Sequence, residues 1–187
     1  QRHFMVPFIR SGALGTWVMA RAQWHKKTSW RANSPNPERE KELNWRLDPD
    51  LSLGLMGELG CSQVDQAAWF FNARPKAVFG VGAINFWKDG RVLPDTVQAL
   101  MEYSNGVQLN YDATLANSFD ASYEMFYGSD SAIMLRDASG WLFKEVDAPL
   151  LGWEVYAKKE TFYKETGIVL KAGGSKSTEQ VTQQAEQ

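Results

Sequence analysis

Val107-Gln108-Leu109-Asn110-Tyr111-Asp112-Ala113-Thr114-Leu115 alternates without a break, apolar at the odd positions and polar at the even ones. A period of two belongs to a strand whose successive side chains point to opposite faces, so one face of its sheet is predicted buried and the other polar. Asn105-Gly106 just before it, and Asp89-Gly90 further upstream, supply the positive φ angles of tight hairpins. Short apolar-rich runs between turn residues continue on both sides. They predict strands at 76–87, 95–103, 107–116, 122–128, 131–136 and 141–146, the pattern of an antiparallel meander.

Upstream, Thr16-Trp17-Val18-Met19-Ala20-Arg21-Ala22-Gln23 is aromatic and β-branched after a glycine-bounded turn, which predicts a further strand preceded by a short helix. Residues 25–50 read as a long polar excursion containing Pro35, Pro37 and Pro49, broken by Trp30 and Trp45. The best helix spans 56–72. Leu59, Val64, Ala67, Ala68 and Phe71 recur there at three- and four-residue spacing, and Pro75 lies just beyond its end. One principal helix against a sheet of this size predicts an α+β fold, an open, mainly antiparallel sheet with helices packed on one face. Trp17, Tyr103, Tyr111, Tyr123, Phe126 and Tyr127 are assigned either to a subunit contact through the other face or to the core.

The 187 residues are 44% hydrophobic and 22% charged, with a formal net charge of −2. That profile predicts one soluble globular unit over 1–172 and a polar, frayed tail over 173–187. No basic stripe marks a nucleic-acid partner. Cys61 stands alone, which excludes an internal disulfide and a multi-cysteine metal site, and no histidine pair has metal-ligand spacing. No run reaches the roughly 18 apolar residues of a membrane span, so no membrane partner is expected. The first residues, Gln1-Arg2-His3-Phe4, read as the middle of a longer polypeptide, so the compartment, cytoplasmic or periplasmic, is not read from this stretch.

On the predicted helix Glu58, Ser62, Asp65 and Trp69 are spaced to share one polar face, either lining a cleft or simply facing water. Gly57 and Gly60 beside them allow a backbone or a flat ligand ring to approach closely. Glu58 and Asp65 could divide acid and base work, but two helical turns separate them. Trp24, His25, Lys26, Lys27, Trp30, Arg31, Trp45 and Arg46 combine flat rings with cations. Such a set suits stacking on sugars and bonding hydroxyls, and equally suits pinning a long loop. Gly80-Val81-Gly82-Ala83-Ile84-Asn85 lacks the third glycine of a dinucleotide loop and runs into Phe86-Trp87 rather than a helix, so it is rejected as a phosphate cradle.

Gly57-Glu58-Leu59-Gly60-Cys61-Ser62-Gln63-Val64-Asp65, followed by Trp69 and Arg74-Pro75, resembles the start of the central helix in the second domain of the Gfo/Idh/MocA oxidoreductases. Asp89-Gly90-Arg91, Asp95-Thr96-Val97-Gln98 and Glu102-Tyr103-Ser104-Asn105-Gly106-Val107 resemble that family's paired strands. Tyr127-Gly128-Ser129-Asp130-Ser131-Ala132 is similar to its glycine-containing bend, and Ser11-Gly12-Ala13-Leu14-Gly15 to the junction after its nucleotide domain.

The resemblance covers residues 8–136. It implies the C-terminal substrate and oligomerisation domain of a dehydrogenase whose Rossmann domain, absent from this stretch, binds most of an NAD or NADP. It further implies hydride transfer with a sugar, polyol or related alcohol, and a homo-oligomer built through the sheet. Carried over position by position, it implies catalytic positions at Glu58, Ser62 and Asp65; the residue chemistry read above adds cofactor approach at Gly57 and Gly60 and substrate contacts from Trp24, His25, Trp30, Arg31, Trp45 and Arg46. Ser62 stands where the family carries a histidine, and a serine hydroxyl cannot take a proton near neutral pH as imidazole does. The base is therefore another group, such as Glu58, the lysine that the family's nucleotide domain contributes or His25, or the chemistry is lost or altered and the domain is a non-catalytic carbohydrate-binding or assembly module on the same scaffold.

Overall fold

The computed structural model describes residues 2–162 and 165–170; the polar tail expected at 173–187 lies outside them. A helix α1 (Arg2–Arg10) leads through a turn into strand β1 (Trp17–His25). The excursion that follows holds α2 (Pro37–Leu43) and a 3-10 turn (Trp45–Leu47), and a π-helical turn (Met56–Gly60) runs directly into α3 (Cys61–Phe71). Strands β2 (Pro75–Ala83), β3 (Thr96–Tyr103), β4 (Gln108–Thr114), β5 (Ser122–Gly128), β6 (Ser131–Arg136) and β7 (Ser139–Lys144) come next. A 3-10 turn (Gly152–Tyr156) and strands β8 (Lys159–Phe162) and β9 (Glu165–Leu170) close the described chain.

Among the described residues the strands form one nine-stranded sheet in the order β2-β3-β4-β1-β5-β6-β7-β9-β8. The α+β architecture is as expected, but the meander is interrupted. β1 lies between β4 and β5, parallel to the first and antiparallel to the second. The segment from Leu115 to Ala121 has no two-residue hairpin signal, and instead of turning β5 back onto β4 it spans the width of β1. β8 and β9 were not anticipated, and β2 stops before the predicted residue 87. The cause is Asp95, fully buried, whose carboxylate accepts the backbone N–H groups of Asn85, Phe86 and Trp87 at 2.8–2.9 Å and so pulls those residues out of the ladder. Burial alone would raise the pKa of Asp95. The three backbone donors and the Thr96 hydroxyl outweigh it and hold the carboxyl below its ordinary range.

The alternation in β4 holds. Val107, Leu109, Tyr111, Ala113 and Leu115 are buried beneath the helices, and Gln108 and Asn110 are exposed on the other side. Tyr103, Tyr111 and Phe126 belong to this core, and Trp17 stacks edge-on with Phe71, its ring centroid 5.0 Å away. Those aromatics therefore serve packing. Of the expected set, Tyr123 and Tyr127 fall by register on the open face.

α3 is rotated relative to the expected apolar face. Gln63, Gln66, Ala67, Phe70 and Phe71 are its buried residues, whereas Leu59, Val64 and Ala68 are half-buried. Glu124 on β5 is buried under this helix and needs donors. Gln63 Nε2 donates to it at 3.0 Å and to the Gln23 carbonyl at 3.1 Å, and Arg2 Nη2 donates to it at 3.0 Å. Gln63 is drawn inward by that carboxylate, whereas Gln66 accepts through its Oε1 from Arg2 Nε.

Candidate functional site

The extended chain leaving β1 keeps its period of two beyond the sheet, so Trp24, Lys26, Thr28 and Trp30 line the same cavity. Arg46, from the 3-10 turn, and Glu58 and Leu59, from the π-helical turn, complete the lining of a space of about 310 Å³. π-Turns leave the regular i→i−4 ladder and cluster at functional positions. Here the Cys61 N–H reaches back to the Met56 carbonyl. The wider turn puts Glu58 out of phase with Ser62, Asp65 and Trp69, so the shared polar face drawn from a regular helix is split.

Glu58 is held from both sides. Its Oε1 accepts from the Ser52 hydroxyl at 3.0 Å, and its Oε2 lies 3.7 Å from Arg46 Nε. The buried Ser52 in turn accepts the Gly54 N–H at 3.0 Å, which fixes the hydroxyl within its turn. The Arg46 guanidinium lies 5.7 Å from the Trp30 ring and 5.1 Å from that of Trp45. Trp30 has φ 59, a left-handed backbone that a bulky residue adopts only when its surroundings impose it. What imposes it lies on either side. The Asn44 side chain bonds both the N–H and the carbonyl of Ala32 at 2.8 Å, and Arg31 is tied to Asp89 at 3.0 Å.

Asp89 is the centre of that second tie. Arg91, its side chain 1% exposed, donates to it from Nε at 2.8 Å and from Nη2 at 2.7 Å, and Nη2 also donates to the Ser29 carbonyl at 2.7 Å. Hydrogen bonds from Arg91 overcome the opposing effect of burial and, with those from Arg31, hold the Asp89 carboxyl well below the usual carboxylate range.

The residues expected at the site separate as follows. Trp24, Trp30, Arg46 and Glu58 meet at the cavity, with Trp45 outside it beneath Arg46. Arg31 serves the clamp to Asp89. His25 points to the opposite side of the sheet, as alternation from Trp24 requires. Its Nε2 lies 2.5 Å from Asp112 and its Nδ1 3.0 Å from the Phe119 carbonyl. Ser62 and Asp65 are exposed. The Ser62 hydroxyl donates to the Leu59 carbonyl at 3.1 Å, and Asp65 adds to burial in pushing the Tyr103 phenol up to about 12. Gly60 faces the sheet, where an added Cβ would lie 3.1 Å from the Tyr111 ring, and one at Gly57 would meet Leu53 Cβ at 2.4 Å.

Two contributors escaped the sequence reading. Thr28 was legible in the continued alternation; Ser52 gave no signal, since a serine in a turn is unremarkable. The described residues do not fit a dinucleotide's pyrophosphate. Gly80 and Gly82 lie within β2, in register with Ala99 and Val97, and no helix begins there.

A search of the curated proteins finds no match. Solved structures with the same fold include levoglucosan dehydrogenase in complex with NADH and levoglucosan, 17% identical with a TM-score of 0.65 over 91% of this chain and 43% of that one. An inositol dehydrogenase homolog complexed with NAD+ from Azotobacter vinelandii is 18% identical, TM-score 0.65, over 92% and 41%. An NAD binding oxidoreductase from Klebsiella pneumoniae is 16% identical, TM-score 0.65, over 91% and 44%. The chain thus spans less than half the length of each. The family model described as GFO/IDH/MocA C-terminal domain matches residues 6–134, and the chain belongs to that family.

Proposed function

We propose that this chain is the C-terminal, substrate-binding and assembly half of an NAD(P)-dependent oxidoreductase acting on a sugar, polyol or related alcohol. The observation that carries the reading is Glu58, a helix carboxylate that lines a cavity walled by two indole rings, two cations and a threonine hydroxyl. Indole faces stack on sugar C–H surfaces while the polar groups bond hydroxyls. In the intact enzyme the nucleotide sits mainly on a separate domain and supplies the hydride acceptor. Glu58, steadied by Ser52 and Arg46, takes the hydroxyl proton in place of the family histidine. The open face of the sheet, with Phe79 71% and Val81 56% exposed, is the surface through which copies assemble.

The full-length protein should reduce NAD or NADP with at least one polyol from a panel, followed by cofactor absorbance, and Glu58→Ala should lower kcat at least a hundredfold. An unchanged rate removes Glu58 from the chemistry. A second reading, a non-catalytic carbohydrate-binding or assembly module, is favoured by Ser62, whose hydroxyl is turned onto its own helix. Sugar binding without cofactor reduction by any member of the panel would select it.

A further inference from the structure

The charges around the cavity do not cancel. Glu58 is already matched by Arg46 at 3.7 Å and by the Ser52 hydroxyl at 3.0 Å. Lys26, an exposed residue, lines the same space with Trp24 and Thr28, and among the described residues its ammonium has no carboxylate, carbonyl or aromatic partner. Its neighbour Lys27 differs, lying 4.8 Å from the Phe86 ring. A neutral polyol calls for hydroxyl partners and gains little from an unpaired ammonium. An anion gains from charge and hydrogen bond together, and more so beside two indole rings that thin the surrounding water. Lysine acts as a point charge and suits either a carboxylate or a phosphate. A space of about 310 Å³ lies at the small end of ligand cavities, which fits one sugar ring rather than a nucleotide.

We infer that the substrate is an acidic sugar, a monosaccharide-sized polyol bearing one carboxylate or phosphate, with its anion on Lys26 and its hydroxyls toward Glu58. This rests on the cavity being the substrate site. The test is calorimetric titration of the full-length protein with gluconate, glucuronate and glucose 6-phosphate against neutral glucose and sorbitol, with turnover of each followed in parallel.

At least one acid should bind tenfold or more tighter than its neutral parent, equivalent to 1.4 kcal/mol, and the preference should shrink as salt rises. Lys26→Gln should erase the preference, weakening the acids at least tenfold more than it weakens the neutral sugars. Preference for the sugar acids or for the phosphate identifies the source of the charge, and either supports the inference. Neutral sugars bound and oxidised as well as the acids would overturn it and leave the dehydrogenase reading standing. Failure of every compound to bind would overturn both, and a Lys26→Gln effect confined to NAD(P) would assign the lysine to the cofactor and refute the inference.

Discussion

Replacing Asp89 with asparagine keeps the shape of the clamp and removes the charge that balances Arg91 and Arg31. The Arg91 guanidinium, its side chain 1% exposed, would then be buried with the Ser29 carbonyl, a neutral amide and the Trp87 ring 5.9 Å away but no anion, and its Nη1 already has no partner among the described residues. Breaking a buried pair from one side costs about 3–5 kcal/mol. Asp89 keeps some contact with water, its side chain being 23% exposed, which lowers the expectation to about 2–3 kcal/mol. In a domain of this size that is a fall in Tm of roughly 4–12 °C. Urea unfolding followed by tryptophan fluorescence measures it directly.

The pH dependence has a definite sign. A carboxyl whose folded pKa lies below its unfolded value contributes fully above the ordinary carboxylate pKa near 4, and loses that contribution as pH falls from there toward the folded value. The gap between parent and Asp89→Asn should therefore be constant from pH 7 to 5 and narrow below pH 4. Asp95 titrates in the same window in both proteins and cancels. Combining Asp89→Asn with Arg91→Met should cost less than the sum of the two changes by at least about 1 kcal/mol. Additive effects, or a single-variant loss under about 1 kcal/mol, would refute the clamp.

Gly128→Ala should destabilise by about 3 kcal/mol in the same urea titration, because its Cβ would stand 2.0 Å from the Leu14 carbonyl oxygen, which accepts the Asp130 N–H at 3.0 Å. Phe79→Asp, on the open face and the edge strand, should leave the unfolding midpoint within about 0.5 kcal/mol and shift the mass measured by light scattering toward the monomer. An unchanged oligomer would move the subunit contact elsewhere.

The strands were legible wherever a single residue's surroundings decide its face. The run from Val107 to Leu115 needs only one wet side and one dry side, and β4 and its neighbours in sequence follow. The seat of β1 was not legible, because its partners are chosen by contacts far along the chain that no local pattern records. The phase of α3 was hidden twice, once by the π-turn and once by Glu124, which draws Gln63 inward. α2 carries a start signal in Asn36-Pro37-Glu38, with the Asn36 side chain capping Glu38 and Arg39, but three prolines nearby made the segment read as loop. At the candidate site, ring and cation chemistry grouped Trp24, Trp30 and Arg46, and the helix pattern with the family resemblance singled out Glu58; the four line one cavity. His25, grouped with them by composition, lies on the opposite face against Asp112, because alternation places neighbours on opposite sides.

β1 holds the middle of the sheet although it is the first in sequence of that sheet's described strands, with Met19 in register with Gln108 on one side and with Tyr127 on the other. During synthesis its hydrogen-bonding edges must stay unsatisfied until the ribosome has delivered both of those neighbours. The interval is one in which an apolar ribbon carrying Trp17, Val18 and Trp24 is open to chaperones and to other nascent chains. The element that knits the finished sheet together is thus also the one exposed longest before the sheet exists.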